Sequence, residues 1–298
     1  MFGRNNDIER GESLETGLVG LKHGPLTRMW LKPIMKPPPE FLYKYRSLAN
    51  RDWVQQIIAG CQIYYPAPEQ INDPFDCKMP PIKSFSPWWA RYRMASSQFA
   101  TCSEQIEVWR KYLELRIRNN AELGELEKPL LPDEETEFNR ILSDEIEQKL
   151  NATGVLSLSA VCDNTLMWSH YGDGHRGICL KFRLDEWPAL KINIQEVKYP
   201  PDRLLLQLDF KTLHEGKAVE AIVLTKDRLW SYECEWRSLA RTSGTIQFPE
   251  AALVGIIFGC QISTTHADWL RSIVPRTHIK FYQAMKKATE FGLDIREV

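Results

Sequence analysis

The chain has 298 residues, 43% hydrophobic and 26% charged, a globular composition without a long linker, so it reads as one domain carrying an insertion. Its formal net charge of −1, from 38 basic and 39 acidic residues, excludes a general attraction to nucleic acid or anionic lipid and leaves room only for a local basic patch. No stretch approaches the roughly 18 apolar residues that span a bilayer, and the first residues, MFGRNNDIERGESLETG, lack an apolar signal region, so a cytoplasmic protein without membrane contact is expected.

Residues 1–40 form a polar, Gly-containing arm that ends in KPIMKPPPE, where successive prolines favour an extended path; a flexible arm able to dock a partner protein is expected. The domain proper is then 41–298. FLYKYRS (41–47) alternates and predicts a strand, ANRDWVQQIIAG (49–60) has helical spacing with a Gly stop, and QIYYPAP (62–68) predicts a second strand. In EQINDPFDCKMPP (69–81), Asn72, Asp73 and Pro74 turn the chain, with Asp73 and Asp76 expected to bond backbone amides while Phe75 anchors the loop; the functional alternative is a loop that covers a nucleotide pocket. A charged periodic region over about 103–150 predicts a helical insertion of two amphipathic helices with solvated acidic faces.

Strands follow at 154–161, 177–184, 192–200, 235–242, 253–260, 278–285 and 292–298, with helices at 205–227 and 264–273. Strands and helices do not alternate strictly, so the expected fold is α+β: a mixed, largely antiparallel sheet, split in one variant of the reading, with helices packed around it. IIAGCQI (57–63) recurs as IIFGCQI (256–262), but no period is sustained, which favours coincidence or a shared local turn. The seven cysteines, 61, 77, 102, 162, 179, 234 and 260, are odd in number and without Cys-x-x-Cys spacing, so reduced thiols are expected.

Polar and aromatic residues concentrate in YKYRS (43–47), NDPFD (72–76), MWSHYGDGHRGICLKF (167–182) and KDRLWSYECEWR (226–237). In the third, Asp163 or Asn164 caps a short helix bearing Trp168, His170 and Tyr171, and a Gly-Asp-Gly turn leads to His175 and Arg176; this could gather imidazole, phenol and guanidinium for an anionic or nucleotide ligand. His170 and His175 could equally serve as capping or core residues. With Asp173 they lack the spacing of a metal site, so no metal is expected. Glu233 and Glu235 flank Cys234, and on an extended chain both carboxylates would share one face, raising one pKa for acid or base work. Ion pairing with Arg228 and Arg237 at the surface is the other reading. No Walker A loop or Gly-x-Gly-x-x-Gly follows a strand, which removes the usual support for P-loop and Rossmann chemistry.

As an ordered set across about 41–295, these four segments resemble the bacterial domain-of-unknown-function family 2971. Arg46, Ser157-Leu158-Ser159 and Glu233-Cys234-Glu235 also follow the order seen in one branch of the ADP-ribosyltransferases, with Leu158 where that branch has Thr. That resemblance implies an NAD-consuming enzyme, by ADP-ribosyl transfer or NAD glycosidic cleavage, in a toxin or phage-defence setting, with a protein or nucleic-acid acceptor. It implies that Arg46 holds the NAD phosphates, Ser157 and Ser159 shape the nicotinamide pocket, Glu235 bonds the ribose 2′-hydroxyl and Glu233 activates the acceptor. Another branch uses His and Tyr in place of Arg and Ser, roles that Tyr43, Tyr45, His170 and Tyr171 could take. The alternatives are a hydrolase of another nucleotide-like ligand and a non-catalytic nucleotide-binding or protein-interaction module.

Overall fold

Alternating side chains sort each long strand between two apolar layers, and this builds the centre of the fold. In the computed structural model residues 36–85, 87, 90, 128–202, 206–208 and 217–298 are described; Pro37–Val298 forms one compact unit. Strands β1 (Phe41–Arg46), β4 (Gly154–Ser159), β5 (Ile178–Arg183), β6 (Ile194–Glu196), β8 (Glu235–Ala240), β10 (Leu253–Phe258), β11 (Lys280–Lys286) and β12 (Leu293–Glu297) form an eight-stranded sheet, ordered β12-β11-β10-β5-β1-β4-β8-β6. Every neighbouring pair is antiparallel except β10 with β11. Two small sheets flank it, β2 (Gln62–Tyr65) with β9 (Gly244–Gln247), antiparallel, and β3 (Ile82–Phe85) with β7 (Leu206–Leu208), parallel. The sheet is thus mixed and mostly antiparallel, as the lack of strict alternation predicts.

On one face Leu42, Ile178, Leu180, Phe182, Ile256 and Phe258 join a core completed by α1 (Arg51–Ile58), α4 (Pro188–Asn193) and α6 (Thr264–Ile273). On the other, Tyr45, Cys179 and Ile257 pack with Met167 and Trp168 of α3 (Thr165–Tyr171). Helix starts follow local chemistry: Asn50 accepts from the Trp53 amide at 3.1 Å, Asn164 from Leu166 at 2.9 Å and Ser263 from His266 at 3.2 Å, each satisfying a donor the helix leaves open. Helix α2 (Pro132–Ala152) buries Phe138, Leu142, Ile146 and Leu150, one every four residues, against α5 (Lys217–Val223), each worth about 1.5–3 kcal/mol relative to exposure.

Several expectations are corrected. The 192–200 strand is the end of α4 followed by a short β6, and the 205–227 helix is reduced to Lys217–Val223, with β7 at Leu206–Leu208. The repeated heptapeptides adopt different structures, helix-turn-strand at 57–63 and strand-turn at 256–262, so they are no structural repeat. The arm over 1–35, the insertion's first part over 103–127 and Cys102 lie outside the described residues.

Gly177 fixes where β5 begins. A Cβ there would sit 2.2 Å from the Arg46 carbonyl oxygen and 2.9 Å from that of Gly172, both backbone atoms that cannot rotate away. Gly177→Ala should cost about 1–3 kcal/mol by overpacking, read as a lowered urea midpoint with unchanged m-value; an unchanged midpoint would refute this packing argument.

Candidate active site

The site begins as an opening in the sheet. β1 pairs with β5 along all six residues, Phe41↔Arg183 to Arg46↔Ile178, whereas it meets β4 only at Tyr43↔Ser159. β4 gives its whole length, Gly154 to Ser159, to β8. Between the diverging strands lies a cleft of about 370 Å³, lined by Tyr43 to Arg46 of β1, Ser157 to Ser159 of β4, Asn72 and Asp76 of the turn-rich loop, Met167 and Tyr171 of α3, and Lys226, Glu233, Glu235 and Arg237.

The two glutamates reach it by a different path from the extended one expected. Asp227 caps a 3₁₀ turn over Arg228–Glu233, accepting from the Leu229 amide at 2.7 Å, and Cys234 then adopts a left-handed conformation (φ 45°, ψ 50°) before β8 starts at Glu235. The elbow is pinned from three sides: the Ser159 hydroxyl donates to the Glu233 carbonyl at 2.7 Å, Asn164 donates to that of Tyr232 at 3.2 Å, and the Glu235 amide donates to the Tyr199 hydroxyl oxygen at 2.9 Å. These bonds hold a non-glycine residue in a region that costs free energy.

Both carboxylates converge on Lys226, whose Nζ lies 2.5 Å from Glu233 Oε2, 3.2 Å from Glu235 Oε2 and 3.6 Å from Asp76 Oδ2. Arg237 completes the network. Its Nε and Nη2 donate to Glu235 at 2.8 and 3.0 Å, its Nη1 and Nη2 to Asp76 at 2.8 and 2.6 Å, and Nη1 also to the Val223 carbonyl at 2.6 Å. None of the five residues is more than 8% exposed, so this is buried ion pairing, not the surface pairing weighed from the sequence, and Arg228 is replaced by Lys226. Three carboxylates face two cations, and the network carries an excess negative charge when all are ionised.

The same surroundings push the two glutamates apart. For Glu233, burial pushes the carboxyl above the usual range, against the pull of Lys226 and with a further push from Glu235. Burial acts on Glu235 in the same direction, but Arg237 and Lys226 outweigh it and hold the carboxyl at about 2. Opposite protonation tendencies in neighbouring carboxyls are the pattern by which one fold divides acid-base and electrostatic roles. The Tyr171 hydroxyl donates to Glu233 Oε1 at 2.7 Å. Among the described residues no set of three or more His, Cys, Asp or Glu side chains is arranged to hold a metal ion.

Of the ten residues singled out from the sequence, Tyr43, Tyr45, Arg46, Ser157, Ser159, Tyr171, Glu233 and Glu235 line this cleft. Some have duties within the fold: Tyr45 donates to the Val161 carbonyl at 3.0 Å and packs edge-on to Trp168, and the Ser159 hydroxyl donates to the Glu233 carbonyl. His170 and His175 are not in it. His170 is exposed beside Trp230 and Tyr232, with ring centroids 6.3 and 6.4 Å away. His175, at φ 67°, stacks on Trp168 and lines a separate cavity with Cys260 and Lys286.

Sequence reasoning passed over Lys44, Asp76 and Lys226 as site residues. The expected Asx turn exists at Asp73, which accepts from the Phe75 amide at 2.9 Å. Asp76, however, binds Arg237 and not an amide, and Phe75 is 72% exposed and anchors nothing. Each of the three nevertheless lies in a segment that the sequence singled out, Lys44 in YKYRS, Asp76 in NDPFD and Lys226 in KDRLWSYECEWR.

No helix among the described residues is long and apolar enough to cross a membrane. No curated protein and no solved structure matches the chain. The likeness to a known family lies in the stretch that supplies Tyr171, Lys226, both glutamates and Arg237: residues 167–238 match the model of a family described as Protein of unknown function (DUF2971), a shorter span than the 41–295 over which the motifs were set out.

Proposed function

We propose that the protein is an enzyme that breaks the nicotinamide N-glycosidic bond of NAD and passes the ADP-ribosyl group to water or to a protein or nucleic-acid acceptor. The observation that carries this reading is the pair of glutamates that converge on Lys226 in one cleft, with the Glu233 carboxyl pushed up by burial and that of Glu235 held down by Arg237 and Lys226. As the C1′–N bond breaks, nicotinamide leaves with the bonding electrons and a ribosyl cation develops. The excess negative charge of the Asp76, Glu233 and Glu235 network favours that cation. The acceptor O–H then forms the new bond to C1′, and its proton goes to Glu233, the carboxylate whose affinity for a proton is raised. Tyr171 orients Glu233 by its hydrogen bond. Glu235, locked by Arg237 and Lys226, supplies fixed charge; Arg46 would take the phosphates and Tyr43 a wall of the ligand pocket. A reaction of this kind depletes NAD or marks macromolecules, and a toxin or phage-defence role goes with the same reading.

A second reading has one observation in its favour: all four oxygens of Glu233 and Glu235 already have partners within the protein, as suits a structural network under a non-catalytic nucleotide-binding module. Incubating the full chain with NAD, with and without cell lysate, and following nicotinamide by chromatography separates the two. Release above a protein-free control is expected. NAD bound by calorimetry without release would favour the binding module, and neither binding nor release would overturn the NAD reading and turn the search to another ligand.

A further inference from the structure

The two edges of the eight-stranded sheet end differently. β6 has three residues, and its continuation at Lys198 is covered: the Lys198 amide donates to the Leu224 carbonyl at 2.8 Å and its carbonyl accepts from the Lys226 amide at 3.0 Å. Pro200 and Pro201, which have no amide to offer, follow. β12 carries neither proline nor lysine over Leu293–Glu297, and among the described residues it pairs with β11 alone.

The pairing with β11 decides which backbone groups are left over. The Lys287 amide donates to the Gly292 carbonyl at 3.1 Å and the Val298 amide to the Phe281 carbonyl at 3.0 Å. In an antiparallel pair hydrogen-bonded positions alternate, so Asp294 and Arg296 bond β11 while the amides and carbonyls of Leu293, Ile295 and Glu297 point into the open edge. The side chains alternate as well. Leu293 and Ile295 join the core around Trp168 and Ile257. Asp294 and Arg296 share the opposite face, where both reach solvent and lie 3.4 Å apart.

An open edge of this kind is a template for another strand. We propose that β12 is the contact through which two copies of this chain pair, antiparallel about a twofold axis at Ile295. In that register Ile295 lies opposite itself and Leu293 opposite Glu297 of the second copy, so the outward donors and acceptors all find partners. Asp294 then faces Arg296 of the second copy on either side of the axis. An exposed pair within one chain is worth little, but across the axis two such pairs form one row of alternating charge. Ile295, half-buried at the rim of its core, is covered by its counterpart. Phe291, 107% exposed at the turn before β12, comes beside Val298 of the other copy, itself 64% exposed.

The charges also select the register. Moving the axis one residue either way uses the same outward groups but sets Asp294 against Asp294 or Arg296 against Arg296, which is repulsive; larger shifts leave little of either strand opposed. This self-complementarity fits a second copy better than an arbitrary extended peptide, and the interface is isologous. β12 stands four strands from β1, roughly 19 Å away, so the cleft stays open and the pairing does not depend on its ligand.

Sedimentation velocity of the full chain at rising concentration tests this. A single strand pair makes a small interface, so a reversible dimer with a dissociation constant on the order of 10–100 μM is expected. Arg296→Glu sets like charge against Asp294 of the second copy, and Asp294→Arg sets it against Arg296; each should weaken the dimer by about 10- to 100-fold. Both side chains are exposed, so the urea midpoint of either variant should stay that of the parent. Mixed in equal amounts, the two variants should dimerise with each other, because every inverted residue then meets its opposite. A parent that stays monomeric, a variant that dimerises as tightly as the parent, or a mixture no more associated than its components would overturn the proposal.

Discussion

Replacing Arg237 by Met should destabilise the protein by about 3–5 kcal/mol, the cost of leaving a buried charge without its partner, out of a total stability on the order of 5–15 kcal/mol. Arg237 is 1% exposed and bonds Asp76 and Glu235 through three nitrogens. Without it, Asp76 keeps, among the described residues, only Lys226 at 3.6 Å as an ionic partner. The effect has a pH signature. In the parent, Glu235 titrates at about 2 when folded and at roughly 4.3 when unfolded, so its contribution is present above the unfolded value and is lost as pH falls toward 2. The variant lacks the stronger of the two cations responsible, and the gap between the two proteins should narrow over that window. Denaturant unfolding from about pH 7 down to about pH 3 reads both. A gap below about 1 kcal/mol, or one independent of pH, would mean that Arg237 is not what holds the network. Asp76→Asn combined with Arg237→Met should cost less than the sum of the single changes, because the two side chains share one set of bonds.

The framework of this fold was legible because β1, β4, β5, β8 and β10 carry apolar residues for two covered faces, and because Ser263 and Asn164 mark helix starts by their own side chains. The site was half legible for a related reason. Glu233 and Glu235 could be seen as neighbours, but Asp76 and Arg237 are separated by 161 positions and no local pattern announces their meeting. The elbow at Cys234 was hidden because its left-handed backbone is held by tertiary bonds and not by a glycine. The histidines misled because density along the chain is not proximity on a helix. Successive residues of α3 point about 100° apart, so Tyr171, with Met167 one turn earlier, lines the cleft while His170 turns toward Trp230 and Tyr232.

Nicotinamide release from NAD should fall about 10²–10⁴-fold in Glu233→Gln, the usual range for removing a positioned base, with the fold retained. The amide keeps an oxygen for Tyr171 or Lys226, removes the capacity to take a proton and gives up the ion pair with Lys226. For a base, activity rises with pH as the carboxyl ionises, so the parent should show an acidic limb displaced above the ordinary glutamate range, in the direction in which burial pushes Glu233, and Glu233→Gln should lack it. Tyr171→Phe sharpens the assignment. The tyrosine hydroxyl favours the ionised form of Glu233, so its removal should shift the limb to still higher pH while costing far less rate at the plateau. A limb that stays in place in Tyr171→Phe and survives in Glu233→Gln would belong to another group, and the proton would have to be assigned elsewhere in the cleft. Glu235→Gln offers the contrast: it removes pairs with both Arg237 and Lys226, so its loss of rate should come with a larger loss of stability than in Glu233→Gln, which gives up the Lys226 pair alone.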